Sequence, residues 1–508
     1  MDIFDSLLVG LNSAMQPSVL MYCFLGVLLG TFVGVLPGIG PLAAISLLLP
    51  ITYYIDATSA IVMLAGVYYG AEYGGSTASI LLNLPGTTAN AITCLDGHPM
   101  AKQGRAGIAL FMTTIASLAG GLVGVMALVL FSHSIVAIGL KFGPTEYFSL
   151  MVLGLIAAST LASGSPLKGM AMVVLGLLLG TVGTDINSGM ARFDFGIMKL
   201  TDGLSLVVIA MGLFGISEIV NSITVKREAR FTQKVTLRSM IPTKKDVKDS
   251  VMPMARGSGI GGFFGALPGT GAAISAFVAY AVEKKIAKDP SRFGKGAIEG
   301  ITAPESANNA AAQSAFIPTL TLGIPGSATM AIMLGALIIH GIQPGPMLMA
   351  EQPALFWGLI VSFFIGNIML VVLNIPLIGL WVSILNIPYR ILYPAILIFI
   401  MLGVYSVSNS TFDIALVAIV GVLGVVLSAL RFEAAPLLLG FVLGPLMEEN
   451  LRRALLISRG DWMTFIDRPI SFWLLMISLA VIVLSLLSSA RKFIQSRTLE
   501  RERAKAGQ

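Results

Sequence analysis

Long apolar runs with few or no charged residues limit the fold of this chain more than any other feature. Crossing a hydrocarbon core of about 30 Å takes roughly 20 apolar residues in a helix. Such runs recur along the chain, for example at Pro17–Val35, Gly107–Phe131, Leu204–Val220, Ala354–Leu373 and Phe472–Leu487. We therefore predict an all-α polytopic membrane protein with roughly ten to twelve transmembrane helices in a lipid bilayer.

Composition excludes the soluble and nucleic-acid-binding classes. Of the 508 residues 56% are hydrophobic and only 11% are charged, whereas a soluble domain carries about 25% charged residues. The net charge of +6 comes from basic residues in short loops between apolar runs, where they set topology instead of contacting nucleic acid. The two cysteines, Cys23 and Cys94, are interpreted as packing residues.

Basic residues are distributed unevenly between the loops. Lys and Arg are absent from Met1–Ala101 and from Gly296–Tyr389. Nine lie in Val225–Arg256 and five in Lys284–Lys295, and the tail from Arg491 is basic as well. The positive-inside rule places these three basic segments in the cytoplasm.

The chain contains an internal repeat. GVLPGIG at Gly34–Gly40 matches GALPGTG at Gly265–Gly271, and LPGTT at Leu84–Thr88 resembles IPGSA at Ile324–Ala328. We predict a first membrane repeat at residues 1–221, a basic cytoplasmic loop at 222–256, a second repeat at 257–446, and a final transmembrane helix with a cytoplasmic tail at 447–508.

Charge flanking the breaks predicts that the two repeats have inverted topology. Basic loops flank Gly257–Val282, whereas the matching segment around GVLPGIG has no basic flank. Conversely, Lys102 and Arg105 follow LPGTT, and the region around IPGSA lacks basic residues. Gly257–Val282 itself is either a re-entrant hairpin or includes an added crossing.

Four Pro-Gly breaks are the first candidates for a transport site. Proline removes a backbone donor, and groups freed inside a membrane need protein or a watery cavity as partners. In transporters, such broken helices bind anionic substrates and coupling ions; the alternative is that they serve helix packing alone. The break residues predicted to bind substrate or ion are Pro37, Gly38, Gly40, Pro85, Gly86, Pro268, Gly269, Gly271, Pro325 and Gly326.

Small polar residues stand beside the breaks. Hydroxyl and amide oxygens can ligate Na⁺, and together with backbone N–H groups they can receive a carboxylate. The alternative for each is helix capping or contact between helices. The candidates are Thr87, Thr88, Asn90, Thr270 and Ser327.

Two acidic residues complete the candidate site. Glu72 and Glu305 each fall between the breaks of one half, and Asn308 and Asn309 follow Glu305 at helical spacing. An ionisable group at membrane depth is costly and usually faces a cavity or a partner. Each carboxylate is therefore a candidate for binding a cation or a proton, unless it lies at the interface and is merely solvated.

Catalytic motifs are missing from the sequence. It has no G-x-x-x-x-G-K-[ST] and no H-E-x-x-H. We expect no catalytic residue, no cofactor, and no metal apart from a transported Na⁺.

Several long strings together resemble the TctA family, the large membrane subunit of the tripartite tricarboxylate transporters. They are GVLPGIGPLAAISLLLP, GAEYGGSTASILLNLPGTTANAITCLDGHP, FFGALPGTGAAISAF and APESANNAAAQSAFIPTLTLGIPGSATMAIMLGALIIHGIQPGP. The resemblance covers nearly the whole chain, leaving out the last span and the tail, and the combination is far more specific than a single Pro-Gly pair.

This resemblance implies a multi-pass protein of the bacterial inner membrane that imports tricarboxylates or related carboxylates. Import would be secondary, coupled to Na⁺ or H⁺, and would involve a small membrane subunit and a periplasmic solute-binding protein. The alternatives are a passive channel or scaffold subunit, or an intramembrane enzyme using Glu72 or Glu305. The sequence does not fix the carboxylate, the stoichiometry or the oligomeric state.

Overall fold

The computed structural model describes residues 3–36, 39–161, 165–185, 188–223, 235–267, 270–385, 389–485 and 487. Nearly all of its regular structure is helical, as predicted for an all-α polytopic membrane protein. The helices in chain order are α1 (Ile3–Ala14), α2 (Pro17–Val35), α3 (Gly40–Thr52), α4 (Ala57–Leu82), α5 (Cys94–Met100), α6 (Ala106–Gly139), α7 (Pro144–Leu161), α8 (Pro166–Gly180), α9 (Leu206–Ala210), α10 (Ser217–Ile223), α11 (Lys244–Gly265), α12 (Gly271–Ile286), α13 (Glu299–Ser314), α14 (Phe316–Leu322), α15 (Ala328–Ile339), α16 (Leu348–Glu351), α17 (Pro353–Asn374), α18 (Ile378–Ile384), α19 (Tyr389–Ser408), α20 (Thr411–Ala429), α21 (Ala434–Ile457), α22 (Thr464–Asp467) and α23 (Pro469–Ser485).

Four helical segments within the described residues are long and apolar enough to cross a bilayer, and eight shorter apolar helices accompany them. The four are Pro17–Val35, Cys94–Gly139, Pro353–Asn374 and Thr411–Ala429. Three of them contain runs identified in the sequence. The predicted total of crossings stays a prediction, since length and composition alone define these segments.

Local sequence explains where several helices begin. Proline opens α2, α8 and α17, where its missing N–H has no helical partner to lose. Asp56 caps α4 by accepting a hydrogen bond from the Ser59 N–H at 2.9 Å. Thr243 and Asp246 form a reciprocal capping box at the start of α11.

The chain divides into two compact units. The larger comprises residues 1–140 and 205–426, and the smaller comprises 141–204 and 427–508. The smaller unit contains α7, α8 and α21–α23, together with an antiparallel pair of two-residue strands, β1 (Gly183–Thr184) and β2 (Ala191–Arg192). Gly183 is opposite Arg192, and Thr184 is opposite Ala191. The division predicted from the sequence repeat stays a proposal.

Two glycine seams in the larger unit repeat the same packing. An added Cβ at any of these glycines would lie between 2.1 and 2.5 Å from a backbone oxygen of the facing helix, so each seam requires glycine. In the first seam, α2 contacts α4 through the pairs Gly26 with Met63, Gly30 with Val67, and Gly34 with Ala71. In the second, α11 contacts α13 through Gly257 with Ala303, Gly261 with Ala307, and Gly265 with Ala311. Each seam ends two residues before an LPG string, which supports the internal repeat.

The helices that carry the two acidic candidates are the most enclosed. All residues from Ser59 to Leu81 on α4 are buried, and so are all from Gly300 to Ser314 on α13. A helix buried on every side belongs to the centre of the structure. The candidate site therefore lies within the core of the larger unit.

Candidate functional site

Both predicted carboxylates are buried in this core. Glu72 on α4 is 4% exposed, and Glu305 on α13 is fully enclosed. A buried charge is costly unless hydrogen bonds or a counter-ion compensate it. The reading of either residue as a solvated carboxylate at an interface is therefore not supported, and their partners determine what they can do.

The LPGTT break returns the chain to Glu72. Asn83 ends α4 with a left-handed φ of 57°, which reverses the chain direction. Gly86 then packs so tightly that an added Cβ would lie 2.2 Å from the Gly34 carbonyl oxygen and 2.4 Å from the Gly75 Cα. This close approach places Thr87 and Asn90, both buried, beside Glu72.

A continuous chain of polar contacts links the two carboxylates. The Thr87 hydroxyl oxygen lies 2.8 Å from Glu72 Oε2 and 2.7 Å from Asn90 Oδ1. Asn90 Nδ2 donates to Glu305 Oε1 at 2.9 Å, and the Thr93 hydroxyl donates to the same oxygen at 2.6 Å. Residues of the LPGTT break and of the segment just after it therefore connect an acid of one half to an acid of the other. We call these five residues the carboxylate bridge.

The carboxylate bridge is one hydrogen short when both acids are ionised. A hydroxyl carries a single hydrogen, so Thr87 can donate to Glu72 or to Asn90 but not to both. If the Asn90 amide is rotated by 180°, its N–H₂ group donates to the Thr87 oxygen, but its oxygen then faces Glu305 Oε1. The missing hydrogen is then the one between Asn90 and Glu305. One proton on a carboxylate, or one small cation among these oxygens, completes the bridge.

Further buried polar atoms lie along the same face of α13. Asn309 Nδ2 donates to the Ser117 hydroxyl at 2.9 Å and to the Glu305 carbonyl oxygen at 3.0 Å. Asn308 lies beside Glu72 but makes no hydrogen bond of ordinary geometry with it. Among the described residues, the side-chain atoms without a hydrogen-bond partner here are Glu305 Oε2, Asn308 Oδ1 and Nδ2, Asn309 Oδ1, and Gln313 Oε1 and Nε2. Buried polar atoms of this kind need a partner, and water, an ion or a polar solute can supply it.

The IPGS break also lies near Glu72, and the chain turns there with a similar backbone conformation. Gly323 ends α14 with a φ of 70°, 240 positions after Asn83, which has the same conformation. Gly326 faces Gly265 as Gly86 faces Gly34, but less tightly: an added Cβ at Gly326 would lie 3.6 Å from the Gly265 carbonyl oxygen, an ordinary contact distance. Ser327 caps α15 through the Met330 N–H and interacts with the hydroxyl of Tyr68, one helical turn before Glu72.

A family model described as "Tripartite tricarboxylate transporter TctA family" matches residues 20–439 of the chain. The chain belongs to the TctA family. The match spans both halves and all four breaks, so the carboxylate bridge lies wholly inside the region characteristic of the family.

Two relatives from Agrobacterium vitis are similar to this TctA-family chain. The uncharacterized 52.8 kDa protein in the TAR-I ttuC' 3' region is 50% identical over 491 residues, which cover 97% of this chain and 98% of that protein. The uncharacterized protein in the TAR-II ttuC' 3' region is 56% identical over 231 residues, or 46% of this chain and 96% of that protein. No solved structure matches the chain.

The first break of each half contributes differently. Pro37, Gly38, Pro268 and Gly269 lie outside the described residues. Gly40 and Gly271 open α3 and α12 with positive φ values of 64° and 63°, and no neighbouring atom lies within 4 Å of an added Cβ at either glycine. The Thr270 hydroxyl lies within hydrogen-bond distance of the carbonyl oxygens of Phe264 and Leu267 and donates to one of them, which closes the end of α11. Within the described residues these three form no hydrogen bond with the carboxylate bridge.

Two other predicted residues face away from the bridge. The side chains of Pro85 and Thr88 are exposed, although their neighbours Gly86 and Thr87 are buried. Pro325 is buried within the second break and makes no polar contact, as expected for a proline ring. Among the break residues of the TctA-family chain, Thr87 and Asn90 thus contact Glu72, whereas Ser327 interacts with Tyr68 on the same helix.

Thr93, Ser117 and Tyr68 were not predicted from the sequence. Thr93 follows Asn90 by three residues, so a helical turn after the break was the available signal. Ser117 lies on α6 and meets Asn309 only through the packing of α6 on α13. No sequence pattern indicates that contact.

The two acids do not occupy equivalent places in the repeat. Ala71 and Ala311 face matching seam glycines and, like Pro85 and Pro325, are 240 positions apart. With this spacing Glu72 corresponds to Ala312, and Glu305 corresponds to Ala65. The scaffold is duplicated, whereas its acidic chemistry is not.

Proposed function

We propose that this TctA-family protein is the large permease subunit of a tripartite transporter that imports tricarboxylates or related carboxylates by cation-coupled secondary transport. In this proposal it lies in the bacterial inner membrane and works with a small membrane subunit and a periplasmic solute-binding protein. The family assignment supports the transport role, and the carboxylate bridge supports the coupling.

The hydrogen deficit of the carboxylate bridge carries this proposal. Glu72 and Glu305 belong to different halves, yet one proton or one Na⁺ completes the contacts that join them through Thr87 and Asn90. Binding or release of that cation changes whether the two halves are held together at this point. A coupling ion needs such a dependence of conformation on occupancy.

The charge of the solute gives coupling a physical reason. A carboxylate with two or three negative charges would enter a region that already holds two acidic side chains, Glu72 and Glu305. Repulsion between like charges in a poorly screened interior is strong. A bound cation reduces this repulsion, so the solute and the cation favour each other's binding and move together.

Alternating access follows from the broken helices. In this mechanism the breaks at LPGTT and IPGS act as joints beside the carboxylate bridge, and one bundle moves past the other to open the site to either side in turn. The binding protein delivers the carboxylate from the periplasm, and the ion gradient drives its release inside.

Uptake into proteoliposomes that contain the chain and its two partner proteins tests the proposal. A panel of carboxylates that includes citrate is supplied under a Na⁺ gradient, under a proton gradient, or with no gradient. A coupled carrier accumulates the unchanged solute only under one or both gradients. A channel brings the solute to equilibrium, and an enzyme alters it chemically.

The Glu72→Gln variant makes the test specific for the site. Glutamine keeps the size of the side chain but removes the charge that a coupling cation balances. We expect gradient-driven accumulation to be lost, with the variant still folded by size-exclusion chromatography. Undiminished accumulation by Glu72→Gln, or equilibration without accumulation by the unaltered protein, would contradict the proposal.

A further inference from the structure

A basic cleft of about 560 Å³ lies in the larger unit, apart from the carboxylate bridge. It lies where the starts of α11 and α13 meet the junction between α5 and α6, among the segments that loop charge places in the cytoplasm. Its charged lining residues are Arg105, Lys245, Asp246, Asp249, Arg292 and Lys295. Pockets of about 300 to 1,000 Å³ suit small molecules.

Positive charge exceeds negative charge in the lining. Four basic residues line the cleft, against two aspartates. Arg105 pairs with Asp246 at 2.5 Å, and Arg292 pairs with Glu299, which lies outside the lining. Lys245 and Lys295 are exposed and form no ion pair within 4 Å of any described residue.

Two aspartates, Asp249 and Asp289, lie near the two lysines. Asp249 contributes to the lining beside Lys245 on α11. Hydrogen bonds from Ser291 are the main reason that the pKa of Asp289 falls below its ordinary value. The positive charges of Arg292 and Lys295 lie close enough to lower that pKa further. The lysines therefore keep free donors that point at the cleft or at water.

The wall that carries Lys295 is firmly held. Asp96 on α5 is fully buried, and its Oδ1 accepts the backbone N–H groups of Gly294, Gly296 and Ala297 at 2.8 to 2.9 Å. Its Oδ2 accepts the Tyr280 hydroxyl at 2.9 Å. An anchored wall reduces the ordering cost of binding, so the cleft is prepared for a ligand.

We propose that this cleft binds a multivalent anion with carboxylate or phosphate groups, through Lys245 and Lys295 assisted by the remaining N–H donors of Arg105 and Arg292. Paired ammonium and guanidinium donors recognise such groups by charge-assisted hydrogen bonds. The anion is either a free solute or the headgroup of an anionic lipid, since both present the same chemistry. The site is separate from the transport function and does not depend on it.

Binding to the purified full-length protein in nanodiscs tests the site in two arms. The first measures the dissociation constant of inorganic pyrophosphate by calorimetry in nanodiscs of zwitterionic lipid. The second measures the thermal shift caused by replacing part of that lipid with phosphatidylglycerol. Both arms use the Lys245→Gln/Lys295→Gln variant, and Lys284→Gln/Lys285→Gln serves as the matched control, because these two exposed lysines on the last turn of α12 lie outside the lining.

We expect the cleft variant to weaken pyrophosphate binding about tenfold or more, while the control variant binds like the unaltered protein. A second outcome is a thermal shift with phosphatidylglycerol but no pyrophosphate binding. If the cleft variant loses that shift and the control variant keeps it, the site is supported and its anion is a lipid headgroup. Failure of both arms, or equal losses in the cleft and control variants, would overturn the proposal. The altered lysines lack ion pairs with described residues, so an unchanged melting temperature without anion is expected for both variants.

Discussion

Replacing Thr87 by valine is the sharpest perturbation of the carboxylate bridge. Valine has nearly the same shape, so the change removes the hydroxyl that lies 2.8 Å from Glu72 and 2.7 Å from Asn90 with little disturbance of packing. A hydrogen bond to a charged group contributes about 1.5 to 3 kcal/mol. Each 1.4 kcal/mol changes an equilibrium constant about tenfold, so loss of this one contact predicts roughly a ten- to hundredfold change in coupling-ion binding.

The assay is solute uptake by Thr87→Val in proteoliposomes with both partner proteins present. Uptake is recorded as a function of external Na⁺ at fixed pH, and as a function of pH at fixed Na⁺. The half-saturating concentration of whichever ion drives accumulation should change by the factor given above. The maximal rate is compared separately, because a general folding defect would lower the rate without changing that concentration.

Thr88→Val is the matched control. The two threonines are adjacent, but Thr88 is exposed and has no contact with the bridge among the described residues. We expect its ion dependence to equal that of the unaltered protein. Identical behaviour of the two variants, or an unchanged half-saturating concentration in Thr87→Val, would refute the assignment of coupling to this bridge.

Three further predictions concern stability. Gly261→Ala should lower the melting temperature, because its Cβ would lie 2.1 Å from a backbone oxygen of α13 and overpacking costs about 1 to 3 kcal/mol. Gly262→Ala is the control and should be neutral or stabilising, because an added Cβ there meets no neighbouring atom within 4 Å. Equal effects of the two substitutions would argue against the seam. Asp96→Asn should destabilise the protein and speed proteolysis of the loop between α12 and α13, because the three backbone N–H groups of that loop lose a charged acceptor. An unaltered proteolysis rate would contradict this interpretation. Burial alone would raise the pKa of Asp246, but hydrogen bonds from Thr243 and the pairing with Arg105 outweigh it and lower that pKa below its ordinary value. Its stabilisation is therefore present at neutral pH and is lost as the pH falls through the lowered pKa. The difference in melting temperature between Asp246→Asn and the unaltered protein should be largest at pH 7 and should shrink as the pH is lowered, and a constant difference would exclude this linkage.

The fold class could be predicted from sequence because hydrocarbon imposes a length and an apolar composition that are visible in the chain. The run at Pro17–Val35 became helix α2 with the same bounds. The repeat was also visible, since GVLPGIG and GALPGTG require the same backbone conformation. The pairing of glycine seams was not predicted, because identifying the facing helix requires knowledge of tertiary packing.

The residues of the candidate site that meet in the structure could be predicted in part. Glu72 and Glu305 stood out because a buried carboxylate needs a reason, and Thr87 and Asn90 stood out because they follow a break. The sequence could not show that Thr87 is buried and Thr88 is exposed, because the backbone conformation of the turn decides which of two adjacent side chains points inward. Ser117 escaped notice because serine in an apolar helix is common and its partner lies 192 residues away.

The offset between Glu72 and Glu305 within the repeat bears on how a transport cycle of this kind would run. A duplicated backbone lets two halves exchange shapes, so a state open to one side can resemble the state open to the other. Acids at unmatched positions do not exchange in this way, and each orientation presents them to the passing ion in a different setting. In the proposed cycle, a coupling ion is therefore bound with unequal strength on the two sides of the membrane, a property that a perfectly duplicated charge pattern would forbid.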